Sequence, residues 1–205
     1  MLNPQNPNPV PHIPKASRYA LRLMSAIAVF ACLFVLMQSC SVNKKPALMQ
    51  FAKGELKKLK VLKTPPAQPQ MIFETIDGDE VQLKDFRGKT LLVNAWATWC
   101  GPCINEMPSL NTLQEQRGSD KFAVITINMD RKIGTAQAFL DKGKYTQLPL
   151  YHDPSLSFNI KIGTQGIPIS IFYTPEGQEI ARIFGEVNWQ GKNVSAFLDE
   201  IITNY

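Results

Sequence analysis

Two cysteines three residues apart, in Trp96-Ala97-Thr98-Trp99-Cys100-Gly101-Pro102-Cys103, carry the chemistry that this sequence can do. The apolar run over residues 91–96 reads as a buried strand leading in, and the apolar periodicity from 104 to about 113 reads as a helix leading out. Cys100 therefore falls at a helix N-terminus. There the orphan backbone N–H groups and the positive end of the macrodipole favour a thiolate over a thiol and lower its pKa below the free value of ~8.5. Cys100 is expected to attack. Cys103 lies nearly one turn inside the helix on the same face, close enough to close a disulfide and shielded enough to stay protonated until needed, so it is expected to resolve. Pro102 sits in the first turn, where a missing N–H costs little. Half of a zinc site is the other reading of a CxxC. It needs a second ligand pair, and the chain offers only Cys32 and Cys40, in or beside a membrane-type segment, plus the distant His12 and His152.

The elements that must position these thiols follow from the rest of the pattern. Residues 71–75 and 80–83 flank Asp77-Gly78-Asp79, a hairpin signal. Strand 90–96 is followed by helix 100–117, an apolar strand over 121–129 and a helix over about 134–142. A short strand near Leu150 leads to Asp153-Pro154, which opens a short helix to Ile160. Residues 169–173 and 178–184 form a second hairpin across Pro175-Glu176-Gly177. The last helix is expected from near Trp189, with Val194, Phe197, Leu198, Ile201 and Ile202 as its apolar stripe. Parallel strands with a crossover helix, then an antiparallel hairpin and a closing helix, make an α/β domain with a mixed sheet flanked by helices.

At 205 residues the chain has room for about one domain plus extensions. Residues 1–22 carry Lys15, Arg18 and Arg22 and no acid, and residues 43–70 carry seven lysines against Glu55. Taking that +3 and +6 from the net +5 leaves −4 on residues 71–205. The basic excess thus belongs to the extensions, and no nucleic-acid footprint is expected on the folded domain. Residues 1–22 read as a disordered, Pro-rich basic tail. Residues 23–42 hold no charge and are long enough to span a bilayer at ~20 residues, which predicts a single transmembrane signal anchor. Cleavage after Ser39-Cys40-Ser41 and lipidation of Cys40 are the alternatives. The flanking lysines and arginines do not decide orientation. Residues 47–62 show leucines at near-helical spacing among lysines and read as a basic amphipathic helix resting on anionic lipid, with a solvated stalk or a helix packed on the domain as the alternatives. Thr64-Pro65-Pro66-Ala67-Gln68-Pro69 reads as a semi-rigid linker, so residues 43–69 form a juxtamembrane segment and the domain is expected over 70–205.

The run Asn94 to Cys103, with Glu106-Met107-Pro108 after it and Gly166-Ile167-Pro168-Ile169-Ser170 downstream, resembles the TlpA/ResA/CcmG branch of membrane-tethered thioredoxin-like proteins. Segments 52–56 and 148–151 bring it nearest to the TlpA members, and the similarity spans about 73–202. The resemblance implies a thioredoxin-like fold, with the first hairpin as an N-terminal extension. It further implies a bacterial inner-membrane protein of single pass with its catalytic domain in the periplasm, acting as a thiol–disulfide oxidoreductase. Carried onto these residues, it makes Cys100 the attacking thiol, Cys103 the resolving one and Pro168 a cis-proline opposite them. An Ile-Pro bond before a strand suits a cis turn and leaves neighbouring backbone groups free to pair with an extended substrate. Pro108 matches a helix-kinking proline.

Thioredoxin keeps a buried Asp where Asn94 stands, and an Asn cannot move a proton. The resembled branch has a Glu where Glu106 stands, one turn beyond Cys103. Its two readings are a proton acceptor with a raised pKa and an exposed first-turn acid that complements the helix dipole. Trp99, Gly101, Pro102, Ile167 and Pro168 are the expected substrate contacts, with Trp99 a flat apolar lip and Trp96 in the core.

Gly-Pro between the cysteines predicts a reducing pair, because a strong oxidant needs extra stabilisation of its thiolate. The expected function is reduction of disulfides in partner proteins, by resemblance apocytochrome c or the assembly and copper-site proteins of cytochrome oxidase. A membrane electron donor is then required, by resemblance one of the CcdA/DsbD type, and no cofactor or metal is expected. The alternatives are a copper metallochaperone using Cys100, Cys103 and His152, and a disulfide oxidase or isomerase.

Overall fold

The structure is a computed structural model and describes Val29 and residues 48–164 and 166–205. The expected tail and membrane anchor lie outside the described residues. No helix among the described residues is long and apolar enough to cross a membrane.

An eight-stranded mixed sheet carries the fold. Its strands are β1 (Leu59–Lys60), β2 (Phe73–Glu74), β3 (Glu80–Val81), β4 (Thr90–Trp96), β5 (Phe122–Asn128), β6 (Leu150–His152), β7 (Ile169–Tyr173) and β8 (Glu179–Phe184), in the order β1-β8-β7-β4-β5-β6-β2-β3. The helices are α1 (Gly101–Arg117), α2 (Ile133–Gly143), α3 (Ser157–Lys161) and α4 (Lys192–Asn204). β4 pairs parallel with β5 and antiparallel with β7, at the centre of the sheet. All seven residues of β4 are buried, which is why its sequence runs apolar without alternation. The hairpin of β2 and β3 and the hairpin of β7 and β8 stand where the turn signals predict them.

Three expectations need correction. The last helix starts at Lys192, not near Trp189: the Trp189 indole is 2% exposed and packs edge-on against Phe172, so it anchors the loop ahead of the helix. The segment 47–62, over its described residues 48–62, is not one continuous amphipathic helix. It folds as a 3-10 turn, Gly54–Leu56, followed by β1, which pairs with β8 through Leu59 and Ile183. The domain therefore does not begin at 70. Leu48, Leu56 and Leu59 are buried in the main core, and Phe51 stacks edge-on against Phe197 of α4. The Pro-rich stretch is also held, since Gln68 donates its N–H to the Gly177 carbonyl and Glu179 donates to that of Pro66. The leucines repeat at intervals that fit a helix, but they are satisfied by one turn and a two-residue strand laid on the sheet edge. Truncation of the fully buried Leu56 to Ala is expected to cost about 2–5 kcal/mol in urea unfolding. A tether outside the folded unit would show no loss.

Candidate active site

The core strand β4 delivers its chain to the sheet end where β5 also finishes, so the loops after both strands meet there. Thr98 is tied to the β5 side: its N–H and its hydroxyl both donate to the Asp130 carboxylate, at 3.0–3.2 Å. Asp130 is itself fixed by Asn128, whose side-chain amide donates to it at 3.0 Å. Trp99 is thrown outward and is 68% exposed. Cys100 then caps α1, with extended backbone at φ −93° and its sulfur accepting the Cys103 N–H at 3.3 Å. That donor favours negative charge on Cys100 once the pair is reduced.

The two cysteines form a disulfide with S–S 2.04 Å and Cα–Cα 5.2 Å. Cys100 keeps 6% of its surface and Cys103 none, so of the two only Cys100 is open to solvent. Gly101 and Pro102 are exposed beside them. The Ile167–Pro168 bond is cis. Because Ala95 pairs with Ile169, Pro168 stands beside the exit of β4, and its carbonyl accepts the Gly185 N–H at 2.8 Å. The half-buried Ile167 completes this side, so Trp99, Gly101, Pro102, Ile167 and Pro168 all come to the same end of the sheet.

Glu106 is 1% exposed, so it is not the surface acid at a helix start. It lies three residues after Cys103 on the same face of α1. One carboxylate oxygen accepts from the Asn94 amide at 2.7 Å and the other from the Val187 N–H at 3.1 Å. Burial pushes its pKa up to about 8 against the pull of these two donors. The Trp189 indole N–H, short of a full hydrogen bond, adds a weaker pull, and the nearby Glu186 charge pushes further up.

His152 is not brought to the thiols as a ligand. Its Nε2 donates to the Asp130 carbonyl at 2.7 Å, and no cluster of three metal-binding side chains occurs among the described residues. Pro108 lies inside α1 without ending it, and the neighbouring Ser109 hydroxyl bonds the Glu106 carbonyl.

Sequence reasoning missed Asp130, Val187 and Ser170. Asp130 carried a readable signal, an acid just past the carboxyl end of a buried parallel strand. Val187 acts through its backbone and carried none.

The Redoxin family profile matches residues 60–190, from β1 through the loop that carries Trp189. The chain belongs to the Redoxin family. It is a TlpA/ResA-like protein of thioredoxin fold. It is 32% identical over 116 residues to the thiol-disulfide oxidoreductase ResA of Oceanobacillus iheyensis, covering 56% of this chain and 59% of that one. To the thioredoxin-like protein YneN of Bacillus subtilis it is 43% identical over 60 residues, 29% of this chain and 35% of YneN. The chain thus spans less than two thirds of the length of these relatives. Among solved structures, one described as a thiol:disulfide interchange protein DsbE from Chlorobium tepidum superposes with a TM-score of 0.62 at 24% identity. That superposition covers 69% of this chain and 99% of the other. At that identity the likeness is one of fold.

Proposed function

We propose that this Redoxin is a membrane-anchored thiol–disulfide oxidoreductase that works as a reductase on protein disulfides. The observation that carries this reading is the Cys100–Cys103 disulfide at the start of α1, with the outer sulfur accepting a backbone N–H and a buried acid one turn below the inner one. In the reduced protein the Cys100 thiolate attacks a substrate disulfide, forming a mixed disulfide and releasing one substrate thiolate. Cys103 loses its proton to Glu106 and attacks the Cys100 sulfur. That breaks the mixed disulfide and releases the second substrate thiolate, so two electrons pass to the substrate and the dithiol becomes the disulfide seen here.

Glu106 suits this exchange because burial brings its pKa to about 8, within about a unit of a free thiol at ~8.5. A proton passes between groups so matched at little cost in either direction. On re-reduction the protonated Glu106 returns it to the departing Cys103. Trp99 supplies an apolar lip, and the chain around cis-Pro168 offers backbone groups to an extended substrate, with Gly101, Pro102 and Ile167 lining the approach.

By resemblance, the substrates are apocytochrome c or assembly and copper-site proteins of cytochrome oxidase. The anchor over 23–42 holds the domain on the periplasmic side of a bacterial inner membrane, and a donor of the CcdA/DsbD type re-reduces it there. The test is the reduction potential of the Cys100–Cys103 pair, equilibrated against dithiothreitol and glutathione. A value near the ~−270 mV of thioredoxin is expected. A value near the ~−120 mV of strong oxidants would reverse the direction of electron flow and make this protein a source of disulfides.

A further inference from the structure

Asn94 sits in the middle of β4, fully buried, and its side-chain amide donates to two other elements of the fold. One Nδ2 proton goes to Glu106 on α1 at 2.7 Å and the other to the Ser170 hydroxyl at 2.9 Å. Ser170 is the register partner of Asn94 on β7 and lies two residues past cis-Pro168. The other polar atom of the amide, Asn94 Oδ1, is buried with no hydrogen-bond partner. An apolar side chain of the same shape would leave no orphan acceptor in the core, so packing alone does not account for an amide here. The two donated protons do: both are spent, one on the acid beside the resolving thiol and one on the strand that carries the cis-proline.

We propose that Asn94, held in orientation by Ser170, is the positioning residue for Glu106, fixing one carboxylate oxygen and favouring its ionised form. The consequence for catalysis rests on the reading of Glu106 as the proton acceptor of Cys103. An amide N–H donates to a carboxylate and offsets part of the desolvation that burial imposes. An ionised carboxylate at this position could not do so, because it would repel the first. Around Glu106, the titratable groups are Cys103 on its own helix and Glu186 on the loop after β8. β4 and β7 contribute the neutral Asn94 and Ser170, and the loop before α4 contributes the Val187 N–H and the Trp189 indole.

The experiment is a carbon-13 NMR titration of the Glu106 carboxyl in the oxidised full chain, where neither Cys100 nor Cys103 titrates. Asn94→Leu is close in size and cannot donate. It is expected to move the Glu106 titration upward by about one pH unit or more, a tenfold change in the ionisation ratio. Ser170→Ala leaves the amide in place but loosens it, and is expected to give a smaller shift in the same direction. An Asn94→Leu protein that folds and titrates like wild type overturns the proposal. Should Asn94→Leu not fold, Ser170→Ala decides, and an unmoved titration there overturns it equally. The pH profile of disulfide reduction separates the two readings. A Glu106 shift in Asn94→Leu with an unchanged profile upholds the hold of Asn94 on Glu106 and removes Glu106 from the proton path.

Discussion

Replacement of Cys103 by Ser in the reduced protein is expected to arrest the reaction with the substrate bonded to Cys100. The buried thiol alone can release the mixed disulfide from within. Without it, resolution waits for a thiol from solution. A group held in place acts at an effective concentration far above the millimolar range of free thiols, so turnover should fall by roughly 10³-fold or more. Intact mass measurement and non-reducing electrophoresis would show the adduct, and Cys100→Ser should form none. This asymmetry follows from exposure, since Cys100 alone of the pair retains accessible surface. An adduct that forms on Cys103 in the Cys100→Ser protein would invert the order of the thiols.

The second large effect is expected from Glu106→Gln, and it has two readouts that move independently. Loss of a positioned proton acceptor should slow resolution of the mixed disulfide by about 10²-fold. In the wild type that step should accelerate as pH rises through about 8, where Glu106 ionises, and the Gln protein should lose this limb. Stability gives the other readout. The folded pKa of Glu106 lies above the ordinary carboxylate value, so between about 4.5 and 8 the native state binds more protons than the unfolded chain. The stabilising influence of the protonated acid is complete below the unfolded value and is lost as pH rises through the folded one. Wild type should therefore lose stability relative to Glu106→Gln by about 1.4 kcal/mol per pH unit across that window, or about 4 kcal/mol between pH 5 and pH 8. Urea unfolding at the two pH values measures it directly. A constant difference between the two proteins would place Glu106 at an ordinary carboxylate pKa and end its role as a matched acceptor.

Much of the site was legible because it is local. Cys100 and Cys103 are spaced so that a helix start forces them together, and Pro102 and the following periodicity mark that start. Pro168 was legible for a different reason, that the resemblance implied a cis-proline there and an Ile-Pro bond just before a strand agrees with it. Glu106 was half legible. Its distance from Cys103 is fixed by helical spacing, but whether it faces water or the core depends on what lies across from it. The loop after β8 supplies that answer, placing the Val187 N–H and the Trp189 ring over the carboxylate from more than 80 residues away in the chain.

The N-terminal boundary was misjudged on the same physical ground. Lysines and prolines around residues 53–69 read as a solvated tether, because composition describes the exposed side chains and says little about three leucines that reach the core. Asp130 was likewise undervalued, since its partners, Thr98 and His152, lie across strand ends.

The sequence by itself determined the redox chemistry and the order of the strands and helices from β2 onward, because these rest on spacing within a few residues and on hydrophobic period. Only the tertiary structure decided the acidity of Glu106, the amide that holds it and the place where the domain begins. Each of those depends on how much water a side chain loses and which distant donor replaces it, and no local pattern encodes either.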